Sequence, residues 1–440
     1  MLYRLLKIII GVGIRLYYRT IKINNKELLD HNGPQIIIAN HPNTLMDALI
    51  IGNVCSKPIH FMTKATFFNT PLKRRILSGL KMIPINRQVD SKTSGINNED
   101  SFEACYRILE QGKTLVIFPE GNSELERQLR QLKTGTARIA LEAEKRNNGL
   151  LNLRIVPLGL FYTEANSFQS SVLINVGKGI CVADYLDKYK ENKTIAAKKI
   201  TENMRIQLER ILFTADDEEQ EKLIESLYTI LGDKKMIQDV EYHASFMKQI
   251  KTAMEEIQLT RPYLISEVKE LVEVIQWQSE KLAIHTGLIS RRTRFRTMLI
   301  QISLSVVSLL VGLPLFMFGF IHNVFPYKLT GILVPRFTPL ITYYAALNVL
   351  TGLIVYPLTY ACFLMIGTHV LLLSFPMKVL YFACMPLTGM FAFSFMGWYR
   401  KTGNMWKYAT LIFNKKESLT ELKNNQLKLE SLVGLKKMDT

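Results

Sequence analysis

PQIIIANHPNTLMDALI (residues 34–50) joins a β-branched run to a helical one across a polar break. Ile36, Ile37 and Ile38 are apolar at consecutive positions, the pattern of a short strand buried on both faces, and the Asn40-His41-Pro42-Asn43 cluster stops it. Thr44 predicts a helix N-cap, with Asp47 in the capping-box position and Leu45, Leu49 and Ile50 as apolar residues of the helix. Such a strand-turn-helix unit is the building block of an α/β domain. It places His41 at a strand end and Asp47 in the first helical turn. Asp47 has two readings here: it serves the helix start, or it holds one imidazole nitrogen so that the other takes a proton near neutral pH. The stretch alone leaves both open.

The same unit recurs outward from it. QIIIAN, KPIHFMT, KMIPINR, KTLVIFPEG, LRIVPLGLFY and SVLINVGKG alternate with helical stretches, predicting an α/β domain over residues 21–190 built on a central β-sheet flanked by helices. Their ends carry further chemistry. Arg87 closes one strand candidate, Phe118, Pro119, Glu120 and Gly121 close another, and Val156, Pro157 and Gly159 lie in a third. The chain of 440 residues carries a net charge of +17, which calls for a negatively charged partner. With 48% hydrophobic residues that partner is a phospholipid membrane rather than nucleic acid, for which no zinc finger, RNP-type strand or Gly-rich basic tail is present. Five scattered cysteines make no CxxC pair and no metal-ligand spacing, so neither a disulfide framework nor a metal site is expected.

Residues 1–20 interrupt an apolar run with Arg4, Lys7, Arg15 and Arg19, which fall within an arc of about 120° at helical spacing. The segment predicts an interfacial amphipathic helix, its tyrosines and leucines in lipid and its cations at the phosphates. Residues 191–296 predict a charged helical region, with Ile265, Val268, Leu271, Val272 and Ile275 on one apolar face. Three apolar blocks follow, at about 298–322, 340–375 and 377–398, each long enough for a bilayer that requires about 20 apolar residues per crossing. The transmembrane region so defined, 297–400, is flanked by basic RRTRFR (291–296) and YRK (399–401), which places both flanks in the cytoplasm and asks for two or four crossings, the latter with the middle block as a hairpin. The tail, 401–440, reads as polar and exposed.

Four blocks in order, NHPNTLMD, the Arg87 block, FPEG and the VP block, resemble the glycerolipid acyltransferase family, the enzymes that acylate glycerol phosphate or its monoacyl derivative. QLRQLKTGTARIALEA (128–143) continues the likeness after FPEG, with Lys133, Gly135 and Ala140 in place. The resemblance covers roughly residues 20–190. The chain departs from the common pattern twice: five residues rather than four separate His41 from Asp47, and Asn122 and Ser123 stand where the family usually has a threonine and an arginine. Both features are similar to the subgroup with the fungal glycerol-3-phosphate/dihydroxyacetone-phosphate acyltransferases.

The resemblance implies an acyltransferase-like fold with C-terminal transmembrane helices and a catalytic pair, His41 as general base and Asp47 as its orienting carboxylate. It implies acceptor binding by Arg87, Glu120, Gly121 and Lys133, with Asn40, Phe118, Pro119 and Pro157 structural in the motifs. Lys73, Arg74 and Arg75 are expected to face the donor's phosphates or the membrane. No cofactor is implied. The donor is an acyl thioester, acyl-CoA or acyl carrier protein, and the acceptor is glycerol-3-phosphate, with 1-acyl-glycerol-3-phosphate (lysophosphatidate), or another lysophospholipid, as the alternative. A non-catalytic lipid-binding scaffold is the alternative from another class. The implied location is the cytoplasmic membrane, with the catalytic domain on the cytoplasmic face.

Overall fold

Ile36, Ile37 and Ile38 do form a strand, and it runs through the middle of a sheet. The computed structural model describes residues 2–85, 98–232, 239–284 and 295–435. Eight strands, β1 (Thr20–Asn24), β2 (Gln35–Ala39), β3 (Ile59–Lys64), β4 (Met82–Ile85), β5 (Thr114–Ile117), β6 (Arg154–Tyr162), β7 (Ser171–Val176) and β8 (Ile180–Cys181), lie in the order β1-β7-β6-β2-β5-β3-β4, with β8 added to β6. Strands β6, β2, β5, β3 and β4 are mutually parallel, while β7 and β8 meet β6 antiparallel. The sheet is therefore mixed. The six strands expected from sequence are β2 to β7; β1 is an intermediate-burial edge strand and β8 two residues long, too weak a pattern to read.

Helices α1 (Leu2–Tyr17), α2 (Thr44–Val54), α3 (Pro71–Gly79), α4 (Asn98–Glu110), α5 (Gly135–Arg146), α6 (Leu186–Glu191) and α7 (Lys193–Ile211) accompany the sheet. Alternate strand residues, Ile36 and Ile38 of β2, Leu115 and Ile117 of β5 and Ile155 of β6, build one core with Leu109 of α4, Ile139 of α5 and Met204 of α7. The other phase, Ile37, Val116 and Val156, is buried as well, which is why these strands are apolar at every position. The domain boundary differs from the expected one. α7 sinks Ala196, Ala197, Ile200, Met204 and Leu208 beside the sheet, so the compact unit runs to Thr214 and also takes in Thr338–Leu350.

α1 corrects one expectation. Tyr17 and Tyr18 are buried in the protein, not offered to lipid, and Lys7 Nζ donates to the Cys55 carbonyl at 2.5 Å. Ile14 packs inward while Leu5, Ile8, Ile9, Val12 and Leu16 stand exposed, a stripe at helical spacing with Arg4 and Arg15 exposed on the same helix.

The second unit, Ala215–Phe337 and Thr351–Thr440, is helical. α8 (Glu218–Leu231), α9 (Val240–Thr260) and α10 (Leu264–Leu282) pack side by side, and α10 buries Val268, Leu271, Val272 and Ile275 as the periodicity requires. The tail is not exposed throughout: Lys416–Val433 forms a helix, α14, that buries Leu419, Leu422, Leu429 and Val433 and packs against α10. Its leucines recur at helical spacing beneath a lysine-rich composition. Between them run three long helices, α11 (Phe295–Phe337), α12 (Tyr344–Leu371) and α13 (Phe375–Asn414), each long and apolar enough to cross a membrane. The middle block is one helix through Pro357, not the hairpin that four crossings would need. Residues 291–294 of the basic flank lie outside the described residues. α11 and α13 pack closely, Gly319 against the Thr388 carbonyl. His322 Nδ1 donates to the Phe318 carbonyl and its Nε2 accepts from Tyr381, both at 2.7 Å, so this histidine ties helices together.

Candidate active site

Parallel strands bring the first, third and fourth sequence blocks to one edge. β2 lies between β5 and β6, all three running the same way, so Ala39, Ile117 and Leu158 approach the same carboxyl edge, where open α/β sheets bind ligands. His41 follows β2, Phe118 to Gly121 follow β5, and Tyr162 ends β6 four residues past Leu158, the partner of Ala39. Asn40 fastens the turn: its amide donates to the Leu160 carbonyl at 2.9 Å and accepts from the Leu160 N–H at 2.7 Å, in the manner of one more strand pair.

His41 Nδ1 sits 2.9 Å from Asp47 Oδ2. The Asp47 side chain is fully buried and that of His41 is 13% exposed, so one edge of the imidazole remains open. Among the described residues nothing bonds to His41 Nε2. The ring stacks on Phe118, centroids 3.7 Å apart and planes within 10°, which fixes its orientation. The two readings of Asp47 turn out to be compatible. Asp47 Oδ2 also accepts the Asn43 N–H at 2.8 Å, and Asn43, not Thr44, is the N-cap of α2. Asp47 Oδ1 accepts the Tyr162 hydroxyl at 2.6 Å. Three donors therefore converge on one buried carboxylate, and burial, with the Asp47 charge behind it, holds the Tyr162 phenol well above the ordinary tyrosine range.

Glu120 is buried beneath the same turn. Its Oε1 accepts the His41 N–H and its Oε2 the Arg130 N–H, each at 3.2 Å. Burial raises its pKa, and those two N–H groups oppose the rise. Gly121 adopts φ +76°, and a Cβ there would fall 2.6 Å from Lys133 Nζ. Glycine is required both by conformation and by the lysine that passes over it. Pro119 is buried and its carbonyl accepts the Lys133 N–H at 2.9 Å, binding the FPEG turn to the segment before α5.

The remaining expected residues divide. Arg87 lies outside the described residues, though β4 ends at Ile85 on the carboxyl edge, parallel to β3 and β5. Lys73, Arg74 and Arg75 are exposed on α3, and among the described residues no hydrogen bond or ion pair joins them to His41 or Asp47. Pro157 stands in mid-β6, between the residues that pair with β8 and those that pair with β7, where a missing N–H is tolerated. Tyr162, Asn43, Thr44 and Ser123 were not singled out as site residues from sequence. Only the parallel register of β6 on β2 carries Tyr162 over the start of α2, and register is not visible in a single strand.

Residues 20–160 match the family model described as Acyltransferase. The glycerol-3-phosphate O-acyltransferase 2 of Saccharomyces cerevisiae is 31% identical over 114 residues, 25% of this chain. The chain spans about 15% of that relative's length. Among solved structures, the 1-acyl-sn-glycerophosphate (LPA) acyltransferase PlsC of Thermotoga maritima aligns with a TM-score of 0.31 and 16% identity, over 46% of this chain and 79% of its own. The family model covers the stretch that carries the sequence blocks, so residues 20–160 are similar to the Acyltransferase family.

Proposed function

We propose that this chain is a membrane-bound O-acyltransferase that moves a fatty acyl group from an acyl thioester, acyl-CoA or acyl carrier protein, to a hydroxyl of glycerol-3-phosphate. The observation that carries the reading is the His41–Asp47 pair at 2.9 Å with Nε2 left open. With Asp47 accepting from Nδ1–H, the lone pair of Nε2 faces the accessible side. An alcohol requires a base within hydrogen-bond reach to attack a thioester at neutral pH. His41 takes the hydroxyl proton as the oxygen bonds to the thioester carbonyl, and the thiolate leaves with that proton; Asp47 stabilises the imidazolium between the two steps. No enzyme nucleophile enters. Lys133 above Gly121 supplies positive charge for the acceptor phosphate, and the second block's Arg87 is the further cation proposed for it. The yeast relative's name points to glycerol-3-phosphate as acceptor. The exposed stripe of α1 and the three apolar helices support a protein working at a membrane, where the product enters lipid without an acyl chain crossing water.

The test is an acyl-transfer assay with the purified full chain in liposomes, offering glycerol-3-phosphate, lysophosphatidate and lysophospholipids against acyl-CoA and acyl carrier protein. Formation of lysophosphatidate from glycerol-3-phosphate is expected. Transfer only to lysophosphatidate or another lysophospholipid would reassign the acceptor, and no transfer to any acceptor would leave a lipid-binding scaffold.

A further inference from the structure

Five residues separate His41 from Asp47, and the chain must turn sharply between them for their side chains to meet at 2.9 Å. The turn ends at Thr44, whose φ of +34° lies in the left-handed region. That conformation is among the least favourable for a β-branched residue, and a residue held in it is over-determined by its surroundings. The surrounding group is Ser123. Its Oγ accepts the Thr44 N–H at 2.9 Å and the Thr44 hydroxyl at 2.8 Å. Ser123 lies three residues after Glu120, whose carboxylate takes the His41 N–H. One loop thus grips the His41–Thr44 turn at both ends, Glu120 at the first residue and Ser123 at the last.

We propose that Ser123 is a positioning residue for the His41–Asp47 pair, acting by holding Thr44 in its left-handed conformation. Ser123 touches no reacting atom in this role, and its oxygen is directed at Thr44. Without it, Thr44 relaxes toward the ordinary helical region, the start of α2 shifts, and Asp47 moves off His41 Nδ1. Glycine at position 44 adopts a positive φ without a tether, so it makes Ser123 dispensable.

The kinetic test rests on the acyltransferase reading above; the spectroscopic one does not. Ser123→Ala in the full chain is expected to lower kcat about tenfold or more, as small misplacements of catalytic groups do, with KM for glycerol-3-phosphate and for acyl-CoA within twofold of wild type. Adding Thr44→Gly to Ser123→Ala is expected to recover most of the loss, and Ser123→Thr, which keeps the oxygen, to retain activity. In parallel, the low-field proton resonance of the His41–Asp47 hydrogen bond, assigned by its loss in Asp47→Ala, is followed in detergent micelles. It is expected to shift or vanish in Ser123→Ala and to return in the double variant. A raised KM with kcat kept would make Ser123 a substrate contact and overturn the proposal, as would a kcat loss that Thr44→Gly does not relieve. An active wild type whose resonance is indifferent to Ser123→Ala overturns the positioning role and leaves the function standing. An inactive wild type whose resonance responds as described overturns the function and leaves the positioning role standing.

Discussion

Tyr162 donates its hydroxyl proton to Asp47 Oδ1 over 2.6 Å, between two side chains that are both buried. Because burial and the Asp47 charge hold the phenol well above its usual range, Tyr162 remains a donor throughout neutral pH. Tyr162→Phe leaves Oδ1 without a partner, at a cost of about 1–3 kcal/mol for a buried acceptor. Steady-state kinetics are expected to give a kcat reduced about tenfold with KM for both substrates unchanged, because the interaction acts through Asp47 and not on bound substrate. A rise in KM alone would place Tyr162 at the acceptor instead.

Glu120 supplies a dependence on pH whose sign is fixed. Its carboxyl is raised above the ordinary value of 4.5 by burial, so the ionised form is penalised in the folded protein. That penalty is complete above the raised pKa and disappears as pH falls below 4.5. Glu120→Gln cannot titrate. The thermal midpoint of wild type minus that of Glu120→Gln is therefore expected to increase as pH falls from neutral toward 4.5, the ordinary value, and a decrease would contradict the burial argument. At neutral pH the variant is expected to lose activity, since its NH₂ meets one of the two backbone N–H groups that the carboxylate accepts.

Lys133 and Arg87 test acceptor recognition. Lys133→Gln and Arg87→Ala are each expected to raise KM for glycerol-3-phosphate far more than KM for acyl-CoA, by about 2–4 kcal/mol for the loss of a partly desolvated charge-assisted phosphate contact. Gly121→Ala is expected to do the same while also lowering the thermal midpoint, because its methyl group displaces Lys133 and strains the turn. Equal effects on both substrates would make the lysine structural.

The two sides of α1 are distinguishable by spin labelling in liposomes. A label at Val12, on the exposed stripe, is expected to be accessible to lipid-dissolved oxygen, and one at Ile14, which is buried, is not. Equal shielding at both positions would remove the membrane-facing reading of the helix.

The sequence was legible where a residue's neighbours along the chain decide its place. Consecutive isoleucines and the FPEG turn announce strands β2 and β5, and parallel pairing then puts His41 and Glu120 side by side. The capping pattern brings Asp47 to the helix start one residue out of register, with Asn43 in place of Thr44 as the N-cap, and its spacing from His41 lets the two side chains meet. Tyr162 was not legible, because its partner lies 115 residues away and only strand register joins them. Thr44 and Ser123 were hidden for a similar reason: their hydrogen bonds cross 79 residues, and a positive φ at threonine has no sequence signature. In α14 the lysine-rich composition masks the helical spacing of Leu419, Leu422 and Leu429. The face of α1 was reversed for its tyrosines, since an amphipathic pattern does not say whether protein or lipid covers the apolar side.

In the proposed reaction His41 is the base that takes the proton of the acceptor hydroxyl. The most direct test of that role is the initial rate of lysophosphatidate formation from labelled glycerol-3-phosphate by purified wild type and His41→Ala, reconstituted in the same liposomes. Loss of a general base is expected to reduce the rate by about 10² to 10⁴ while thermal unfolding and liposome association stay as in wild type. A His41→Ala protein that forms product at the wild-type rate would contradict the account.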